Sequence, residues 1–358
     1  MNVFARDAQA EKPIVAVAMS GGIDSSVTAA LLLEQGYPVL GVTMQLFQAA
    51  QHVADARLAA DKLGIPHYVF DFRQEFQDRI IREFVAEYNA GRTPNPCVFC
   101  NPQIKFGLLF ERAQALGAKY LATGHYVKAA YNDSTGRYVL RASANTAKDQ
   151  SYFLYRLTQA QLARTLFPLA DLAKADIRAK AQTLGFAHLL AKRESQGICF
   201  LAEQTYQEFL DGVLTPDMRK PGPISDVQGN VLGEHQGIQF YTVGQRKGFR
   251  LAFGTPRYVV AIRPENNAIV IGEEPDLLSQ ALVVRRSNYI AIAELTAPLA
   301  VDVKVRYRNR ATPAMIRPGH DGDEVQVIFN EPKRAITPGQ SAVFYQGDLV
   351  IGGGIIQR

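Results

Sequence analysis

Residues 13–36 read PIVAVAMSGGIDSSVTAALLLEQG, and this stretch decides the fold class. A short, mainly apolar run ends at a serine and two glycines, and a helix-like segment follows directly. Apolar runs closed by glycine that alternate with segments of 3.6-residue period are typical of βαβ units. The alternation continues through about the first 200 residues. We therefore expect an α/β doubly wound parallel sheet with helices on both faces.

The turn inside this stretch predicts a phosphate-binding site. The SGG segment at 20–22 lets backbone N–H groups approach an anion, and DSS at 24–26 opens a helix whose N-terminal dipole favours negative charge. The turn lacks the lysine of the GxxxxGK[ST] phosphate loop and the spacing of the GxGxxG dinucleotide turn. The alternative interpretation is an ordinary glycine-rich connection whose serine and aspartate cap the helix.

From about Gln204 the sequence changes character, because glycine, proline and aspartate crowd between short alternating stretches. Closely spaced strands with turn residues are typical of all-β domains, and RPENNAIVIG at 263–272 has the pattern of a hairpin. We therefore expect two small, mainly β domains after the α/β domain, the last of them a β-barrel. The expected boundaries are 1–204, 205–278 and 279–358.

Composition narrows the class of protein. The 358 residues are 47% hydrophobic, carry a net charge of +5 and contain no apolar run long enough to span a membrane. The N-terminal residues MNVFARDAQAEKP lack the apolar segment of an export signal, so we expect a cytoplasmic protein without a membrane partner. The positive charge permits an anionic partner.

Only three cysteines occur, and two of them lie in TPNPCVFCN at 93–101. Structural disulfides are rare in a reducing compartment, and an odd number of thiols leaves one unpaired. Cys97, Cys100 and Cys199 are therefore candidates for chemistry or metal binding. We expect the pair in a loop that its prolines keep out of helix. Zinc is disfavoured because neither a fourth cysteine nor a suitably spaced histidine accompanies the three.

The motifs together resemble those of a known family. SGGIDSS is similar to the loop of the pyrophosphate-loop ATPases, which cleave ATP to AMP and pyrophosphate and adenylate an oxygen. The chain resembles the tRNA-specific 2-thiouridylases from about residue 13 onward in GRTPNPCVFCN, IKFG, ATGHY, KDQSYFLYRL, SQGICF, GQRKG and PGQSAVFY. The resemblance implies an adenine nucleotide α-hydrolase-like domain. It also implies ATP-dependent replacement of the C2 oxygen of the wobble uridine in tRNA by sulfur.

The implied cofactors are ATP and Mg²⁺, and the implied partners are the tRNA anticodon loop and a sulfur-donor protein. Met44 matches the family position that packs on adenine, and Gly124 closes a strand at the carboxyl edge of the sheet, where such folds bind ligands. The residues assigned to ATP by resemblance are Ala18, Met19, Ser20, Gly21, Gly22, Ile23, Asp24, Ser25, Ser26, Met44 and Gly124. Those assigned to the target base and the tRNA are Asn95, Pro96, Cys97, His125, Lys148, Asp149, Gln150, Arg306, Tyr307 and Gln340.

The resemblance also gives the thiols roles. Cys100 is the nucleophile that acquires a persulfide, and Cys199 resolves it by forming a disulfide. Cys97 departs from the family pattern, which commonly has aspartate there. The three cysteines equally fit a family variant in which they hold a [4Fe-4S] cluster with one open iron site. Both alternatives remain open at the level of sequence.

The C-terminal domain carries a regular row of cations. In KVRYRNR at 304–310, basic residues recur at every second position, so a strand would project all of them from one face toward a phosphate backbone. A solvated outer face of a barrel is the alternative. Arg246 and Lys247 in GQRKG add charge in the central domain.

Two other classes of function compete with this interpretation. A small-molecule ligase of the same ATPase superfamily has no need of the CxxC segment or of the basic β domains. A non-catalytic RNA-binding protein with a cysteine redox switch has no need of SGGIDSS. The three classes differ in whether ATP cleavage responds to tRNA.

Overall fold

The stretch at 13–36 folds as predicted. The computed structural model describes residues 12–47, 50–145, 148–192, 197–201, 204–249, 251, 253–320 and 323–357. In it, strand β1 (Val15–Ala18) leads into helix α1 (Ile23–Glu34). Val15 and Val17 pack in one core cluster and Ala16 in the other, because successive side chains of a strand point to opposite faces. All three residues are fully buried, as a parallel sheet covered on both faces requires.

The parallel sheet has the strand order β3-β2-β1-β4-β7, and the predicted doubly wound arrangement is confirmed. Helices α1, α2 and α8 cover one face, and the helices between residues 73 and 115 cover the other. Two π-helical turns, Gln77–Ile81 and Asn101–Leu108, join α3 to α4 and α5 to α6. Besides β1 and α1, the elements are β2 (Val39–Gln45), α2 (Ala50–Leu63), β3 (His67–Asp71), α3 (Arg73–Phe76), α4 (Arg82–Asn89), α5 (Cys97–Cys100), α6 (Leu109–Ala115), β4 (Tyr120–Ala122), β5 (Val127–Asn132), β6 (Arg137–Ala142), α7 (Gln159–Leu162), β7 (Thr165–Leu166), α8 (Lys174–Thr183) and α9 (Ala187–Leu190).

A four-stranded sheet follows, with the order β10-β11-β8-β9. Its elements are α10 (Tyr206–Val213), β8 (Gly222–Ser225), β9 (Val231–His235), β10 (Tyr258–Arg263) and β11 (Ala268–Gly272). Strands β10 and β11 are antiparallel neighbours joined by a short turn in which Asn267 adopts a φ of 49°. The hairpin predicted at 263–272 is therefore confirmed.

The last strands close into a six-stranded barrel, as predicted. The order is β12-β15-β14-β13-β16-β17, and β12 also pairs with β17. Closure leaves none of these six strands with an open edge of the kind that promotes aggregation. The strands are β12 (Leu278–Tyr289), β13 (Leu299–Lys304), β14 (Thr312–Pro318), β15 (Val325–Arg334), β16 (Ser341–Gln346) and β17 (Leu349–Ile356).

The predicted row of strand cations is wrong. Strand β13 ends at Lys304, and residues 305–309 form bends and turns. Arg306 therefore does not share a strand face with Lys304. Its guanidinium instead turns inward to the carbonyl groups of Val243 and Ala335. Alternation by two says which side chains share a face only while the backbone stays extended, and here it does not.

The barrel and the α/β domain share hydrophobic core. Strand β17 pairs with β6 at Leu349 and Arg141, so the hairpin β5–β6 extends the sheet of the barrel. One cluster of buried side chains joins Leu140 of this hairpin to Val343 and Ile355 of the barrel. The two parts are therefore packed as one body at this junction.

Among the residues that the structure describes, no helix combines the length and the apolar character that crossing a bilayer demands. Residues 1–11, which bear on the expected absence of an export signal, lie outside the described residues. Residues 202 and 203, beside the expected first domain boundary, also lie outside them. Strand β12 begins at Leu278, one residue before the expected start of the barrel.

Candidate active site

The glycine turn after β1 is held in a shape that only glycine allows at one position. Gly21 has a φ of +73°, and a Cβ there would lie 2.4 Å from the carbonyl oxygen of His52. Ser25 fastens the turn to the first turn of α1, since its Oγ accepts from Ser20 N at 3.2 Å and donates to Gly22 O at 3.0 Å. Gly22 caps α1 without a side chain, so the helix N-terminus presents backbone N–H groups to an anion.

The end of β4 forms the second wall of this site. A Cβ on Gly124 would lie 3.0 Å from both Asp24 Cβ and Ser25 N, so β4 approaches the start of α1 as closely as backbone permits. Because β1 and β4 are adjacent and the chain leaves them toward opposite edges of the sheet, this is the topological switch point. The structure thus brings the expected residues of the SGG turn and Gly124 together.

Two residues that the sequence did not single out hold Asp24. Tyr126 OH donates to Asp24 Oδ1 at 2.8 Å, and Lys174 Nζ lies 2.7 Å from the same oxygen. Tyr126 belongs to the ATGHY motif, so its position beside Gly124 was a usable signal. Lys174 begins α8, fifty residues farther along the chain, and nothing in its neighbourhood predicts the contact.

The methionines expected at the nucleotide differ in what they present. Met19 is 2% exposed and its side chain packs in the core, so only its backbone faces the turn. Met44 is half-buried near the carboxyl end of β2, and His52 Nε2 lies 3.4 Å from its carbonyl oxygen. Met44 is therefore the methionine whose side chain lies at the edge of the site.

The two neighbouring thiols begin a helix, and the expected loop is wrong for them. Cys97–Cys100 forms α5, which continues through the π-helical turn to Ala115. Residues 92–95 are outside any helix or strand, and Pro96, with a φ of −65° and a ψ of −24°, already has the helical conformation and caps α5. Asn95 Oδ1 accepts from Cys97 N at 3.2 Å, and Pro96 O accepts from Cys100 N at 2.9 Å.

Burial makes both thiols weak acids. It raises the pKa of Cys97 to about 11 and that of Cys100 to about 12, while the Lys105 cation acts in the opposite direction on each. Lys105 Nζ bonds Asn101 Oδ1 at 3.0 Å and lies 3.3 Å from His125 Nε2. Burial, and then Lys105, lowers the pKa of His125 well below its ordinary value, so this imidazole is neutral and accepts from the lysine.

Cys199 is the exposed member of the three thiols, and Cys97 and Cys100 are half-buried. Its neighbour Phe200 anchors the segment, with its ring 5.1 Å from the rings of Phe84 and Phe209. Desolvation raises the pKa of the Cys199 thiol, and Cys199 in turn raises the pKa of Cys97 and Cys100. The three sulfurs therefore share one electrostatic neighbourhood with Lys105.

We expect Cys199 to react first with iodoacetamide, about ten-fold faster than Cys100 at about pH 8, because it is exposed while Cys100 is half-buried and largely protonated. Mass spectrometry of each cysteine over time measures this order. The rate at Cys100 should keep rising with pH, because burial raises the pKa of its thiol to about 12 and half of it is ionised only near that pH. Equal rates at the two sites would contradict this arrangement.

The KDQ segment at 148–150 is mostly structural. Asp149 is 4% exposed, and its oxygens accept from Ser143 N at 3.1 Å and from Ser151 Oγ at 2.8 Å. The carboxylate is thus buried, and both of its oxygens accept hydrogen bonds from the protein, which leaves it unsuited to hold a metal ion. Gln150 Oε1 accepts from Tyr126 N at 3.0 Å and so braces the segment that carries His125.

Of the three residues expected at the tRNA in the barrel, none lies on an open strand face. Tyr307 packs against Phe153 with the ring centroids 4.5 Å apart. Gln340 Nε2 donates to Thr93 O at 2.8 Å, just before the thiols. Arg306 bridges the barrel and the central domain and lines a polar cavity of about 380 Å³ whose other residues are Asn309, Pro332, Lys333, Arg334 and Ala335.

Within the described ranges, no group of three or more His, Cys, Asp or Glu side chains is arranged to hold a metal ion. The three cysteines, all of which are described, are therefore not placed as a ligand set for a [4Fe-4S] cluster. Cys97 and Cys100 are half-buried at the two ends of α5, whereas Cys199 is exposed on a separate segment of the chain.

A parallel sheet with a glycine turn and a helix N-terminus at its switch point defines a nucleotide-binding α/β protein, here extended by two β domains. Family comparison divides the chain similarly. Residues 13–203 match a "tRNA methyl transferase HUP domain", 207–273 a "tRNA methyl transferase PRC-barrel domain" and 279–356 an "Aminomethyltransferase beta-barrel domain".

Full-length relatives give the family. The chain is 49% identical to the tRNA-specific 2-thiouridylase MnmA of Heliobacterium modesticaldum, over 97% of this chain and 93% of the relative. It is 47% identical to tRNA-specific 2-thiouridylase MnmA 1 of Caldanaerobacter subterraneus subsp. tengcongensis, over 96% and 98%. It is 46% identical to the tRNA-specific 2-thiouridylase MnmA of Desulforamulus reducens, over 96% of this chain and 97% of the relative. The chain belongs to the tRNA-specific 2-thiouridylase family.

Proposed function

We propose that this protein is a tRNA-uridine 2-sulfurtransferase that converts the wobble uridine of tRNA to 2-thiouridine and cleaves ATP to AMP and pyrophosphate. One observation carries the proposal: the segment Thr123–Tyr126 contacts both the glycine turn and Lys105 of the helix that follows the thiols. Gly124 lies against Asp24 and Ser25 of the glycine turn. The next residue, His125, lies 3.3 Å from Lys105, which bonds Asn101 directly after Cys100. This segment thus connects the proposed nucleotide site with the helix that carries Cys97 and Cys100.

The first step activates the base. The C2 oxygen of uracil attacks the α-phosphorus of ATP, pyrophosphate leaves, and the N3 proton is lost. The turn at 20–22 and the N-terminus of α1 bind the phosphates through backbone N–H groups and dipole. A magnesium ion bound with ATP would neutralise phosphate charge, and Asp24 is the carboxylate beside the turn that would face it. Met44 and Gly124 line the nucleotide.

The second step transfers sulfur. We assign the persulfide to Cys199 and the resolving role to Cys100, the reverse of what the resemblance implies. The reason is exposure, because a donor protein reaches the exposed residue Cys199 more readily than the half-buried Cys100. The terminal sulfur of the Cys199 persulfide attacks C2 and AMP leaves. The Cys100 thiolate then attacks Cys199 Sγ, which gives 2-thiouridine and a Cys100–Cys199 disulfide that a dithiol reductant restores.

Lys105 and Cys97 complete the sulfur side. The Lys105 cation opposes the burial that keeps these thiols protonated, so it favours the thiolate that the reaction needs. Burial raises the pKa of Cys97 as it raises that of Cys100, and we assign Cys97 no covalent role. Because the cysteines are not arranged as cluster ligands, no step is routed through iron and sulfide.

The tRNA lies across all three domains, with boundaries near residues 204 and 278. Asn95, Pro96 and His125 border the target base, which costs little to extrude because it is single-stranded. Arg246 and Lys247 are exposed on the central domain, and the cavity at Arg306, Lys333 and Arg334 is cationic, so both suit phosphates. Lys148 and Tyr307 flank this path. We place the reaction in the cytoplasm.

The test is release of pyrophosphate and formation of 2-thiouridine when the protein is incubated with ATP, unmodified tRNA and a persulfide donor. We expect pyrophosphate release to depend on tRNA that carries a wobble uridine, and one 2-thiouridine to form per pyrophosphate. Release that is indifferent to RNA would indicate a small-molecule ligase. RNA binding without pyrophosphate release would indicate a non-catalytic binding protein.

A further inference from the structure

Every polar group of Thr93 is bonded to another domain. Its N–H donates to Pro338 O at 2.8 Å, and its carbonyl oxygen accepts from Gln340 Nε2 at 2.8 Å, so both backbone groups are bonded to the barrel. Its hydroxyl donates to Thr242 Oγ1 of the central domain at 3.0 Å. Thr93 therefore connects the α/β domain to both β domains, and we call this place the junction.

Close backbone packing reinforces this junction. A Cβ on Gly339 would lie 2.8 Å from Thr93 N, and one on Gly91 would lie 2.7 Å from Ile262 Cγ2. Both glycines adopt positive φ, 88° and 68° respectively. The chain therefore approaches the barrel on one side and the hairpin of the central domain on the other as closely as glycine allows.

The junction lies directly before the thiols. Three residues separate Thr93 from Cys97, and two of them, Pro94 and Pro96, restrict the backbone between. Arg306 ties the β domains together at the same place, since it donates to Val243 O, next to Thr242, and to Ala335 O. The start of α5 is thus fixed by both β domains through a short and stiff connection.

We propose that Thr93 is a positioning residue for sulfur transfer: it holds the Cys97–Cys100 helix in register with the two β domains that grip the RNA. The inference rests on the proposed function and deepens it. It assigns Gln340 and Arg306 to the placement of the thiols rather than to the reading of bases. The bonds of Thr93 then fix the position of the thiols on α5 relative to RNA bound by the β domains.

The test uses Thr93→Val, which keeps the shape and removes only the hydroxyl, and Gln340→Met, which removes the amide donor. Gln346→Met is the matched control. Like Gln340, Gln346 donates from Nε2 to a backbone carbonyl, but its acceptor is Ala300 O at 2.9 Å, within the barrel and away from the junction. Thr242→Val removes the same hydroxyl bond from the other side. If the bond between these two hydroxyl groups fixes the segment, the double variant Thr93→Val/Thr242→Val should lose no more thiolation than either single variant.

In RNA-free protein, hydrogen exchange of a peptide covering residues 92–100 should be about five-fold faster in Thr93→Val and Gln340→Met than in wild type or the control. With tRNA, the 2-thiouridine formed per pyrophosphate should fall about three-fold or more, because a displaced thiol lets the adenylate hydrolyse. Unchanged exchange, or an unchanged ratio of the two products, would overturn the proposal. If wild type makes no 2-thiouridine, the proposed function fails, and the exchange data still decide whether Thr93 fixes the segment.

Discussion

Replacing Cys100 with serine is expected to leave tRNA-dependent pyrophosphate release intact and to reduce formation of 2-thiouridine by roughly 10³-fold or more. Adenylation takes place at the glycine turn and does not use the thiol, whereas a hydroxyl cannot attack the sulfur of a persulfide. The variant should therefore stall after the terminal sulfur has bonded C2. Without added reductant, protein and tRNA should remain joined through Cys199, and mass spectrometry or a denaturing gel detects this adduct.

The other cysteines provide the controls. Cys199→Ser should also lose thiolation, but it should form no adduct, because it carries no persulfide. Cys97→Ser should keep substantial thiolation, since this residue has no covalent role. Thiolation by Cys100→Ser at the wild-type rate would refute the resolving role. An adduct formed by Cys199→Ser and not by Cys100→Ser would return the persulfide to Cys100.

Gly21→Ala is expected to lower adenylation by about 10²-fold. An alanine Cβ would lie 2.4 Å from His52 O, and a φ of +73° disfavours any side chain, so the turn must move. A displacement of about 1 Å at a phosphate-binding loop is sufficient for a loss of this size. Pyrophosphate release in the presence of tRNA measures the rate, and calorimetry measures ATP binding and the midpoint of thermal unfolding.

Gly64→Ala is the control that separates the effect of backbone strain from the effect of a steric clash. Gly64 has a similar φ of +66°, but a Cβ there would meet nothing within 4 Å. It should cost about 1 kcal/mol of stability through the left-handed backbone and leave pyrophosphate release unchanged. If Gly21→Ala loses no more activity than Gly64→Ala, the glycine turn is not the phosphate site.

Sequence was sufficient where the signal is local and repeated. The alternation of apolar runs and helical segments predicted the doubly wound sheet, and the turn residues of 263–272 predicted a hairpin. It failed where a pattern is too short to define the backbone. CVFC follows a proline-rich stretch yet starts a helix, and KVRYRNR alternates like a strand yet leaves β13 at Lys304. Local bonds from Cys97 N to Asn95 Oδ1 and from Cys100 N to Pro96 O accompany the helix, and the contacts of Arg306 with Val243 and Ala335 accompany the end of the strand.

The same distinction applies to the site. The SGG turn, Gly124 and the thiols are identified by motifs, and the structure brings Gly124 against the start of α1. Lys174, which pairs with Asp24, was out of reach because its contact joins residues 150 positions apart. Lys105 lay inside a recognised motif, and its helical spacing of four from Asn101 was an available signal. Gln340 was expected at RNA, and only the folded chain reveals its bond to Thr93.

The pairing of β6 with β17 has a consequence for how this chain can be divided. Leu140, on the hairpin of the α/β domain, shares one set of buried side chains with Val343 and Ile355, which are contributed about 200 residues later. A fragment ending near residue 204 would expose that apolar surface to water, and the edge of β6 that pairs with β17 would have no neighbouring strand. We therefore expect the α/β domain and the barrel to fold as a single unit, so that neither would be stable when expressed alone.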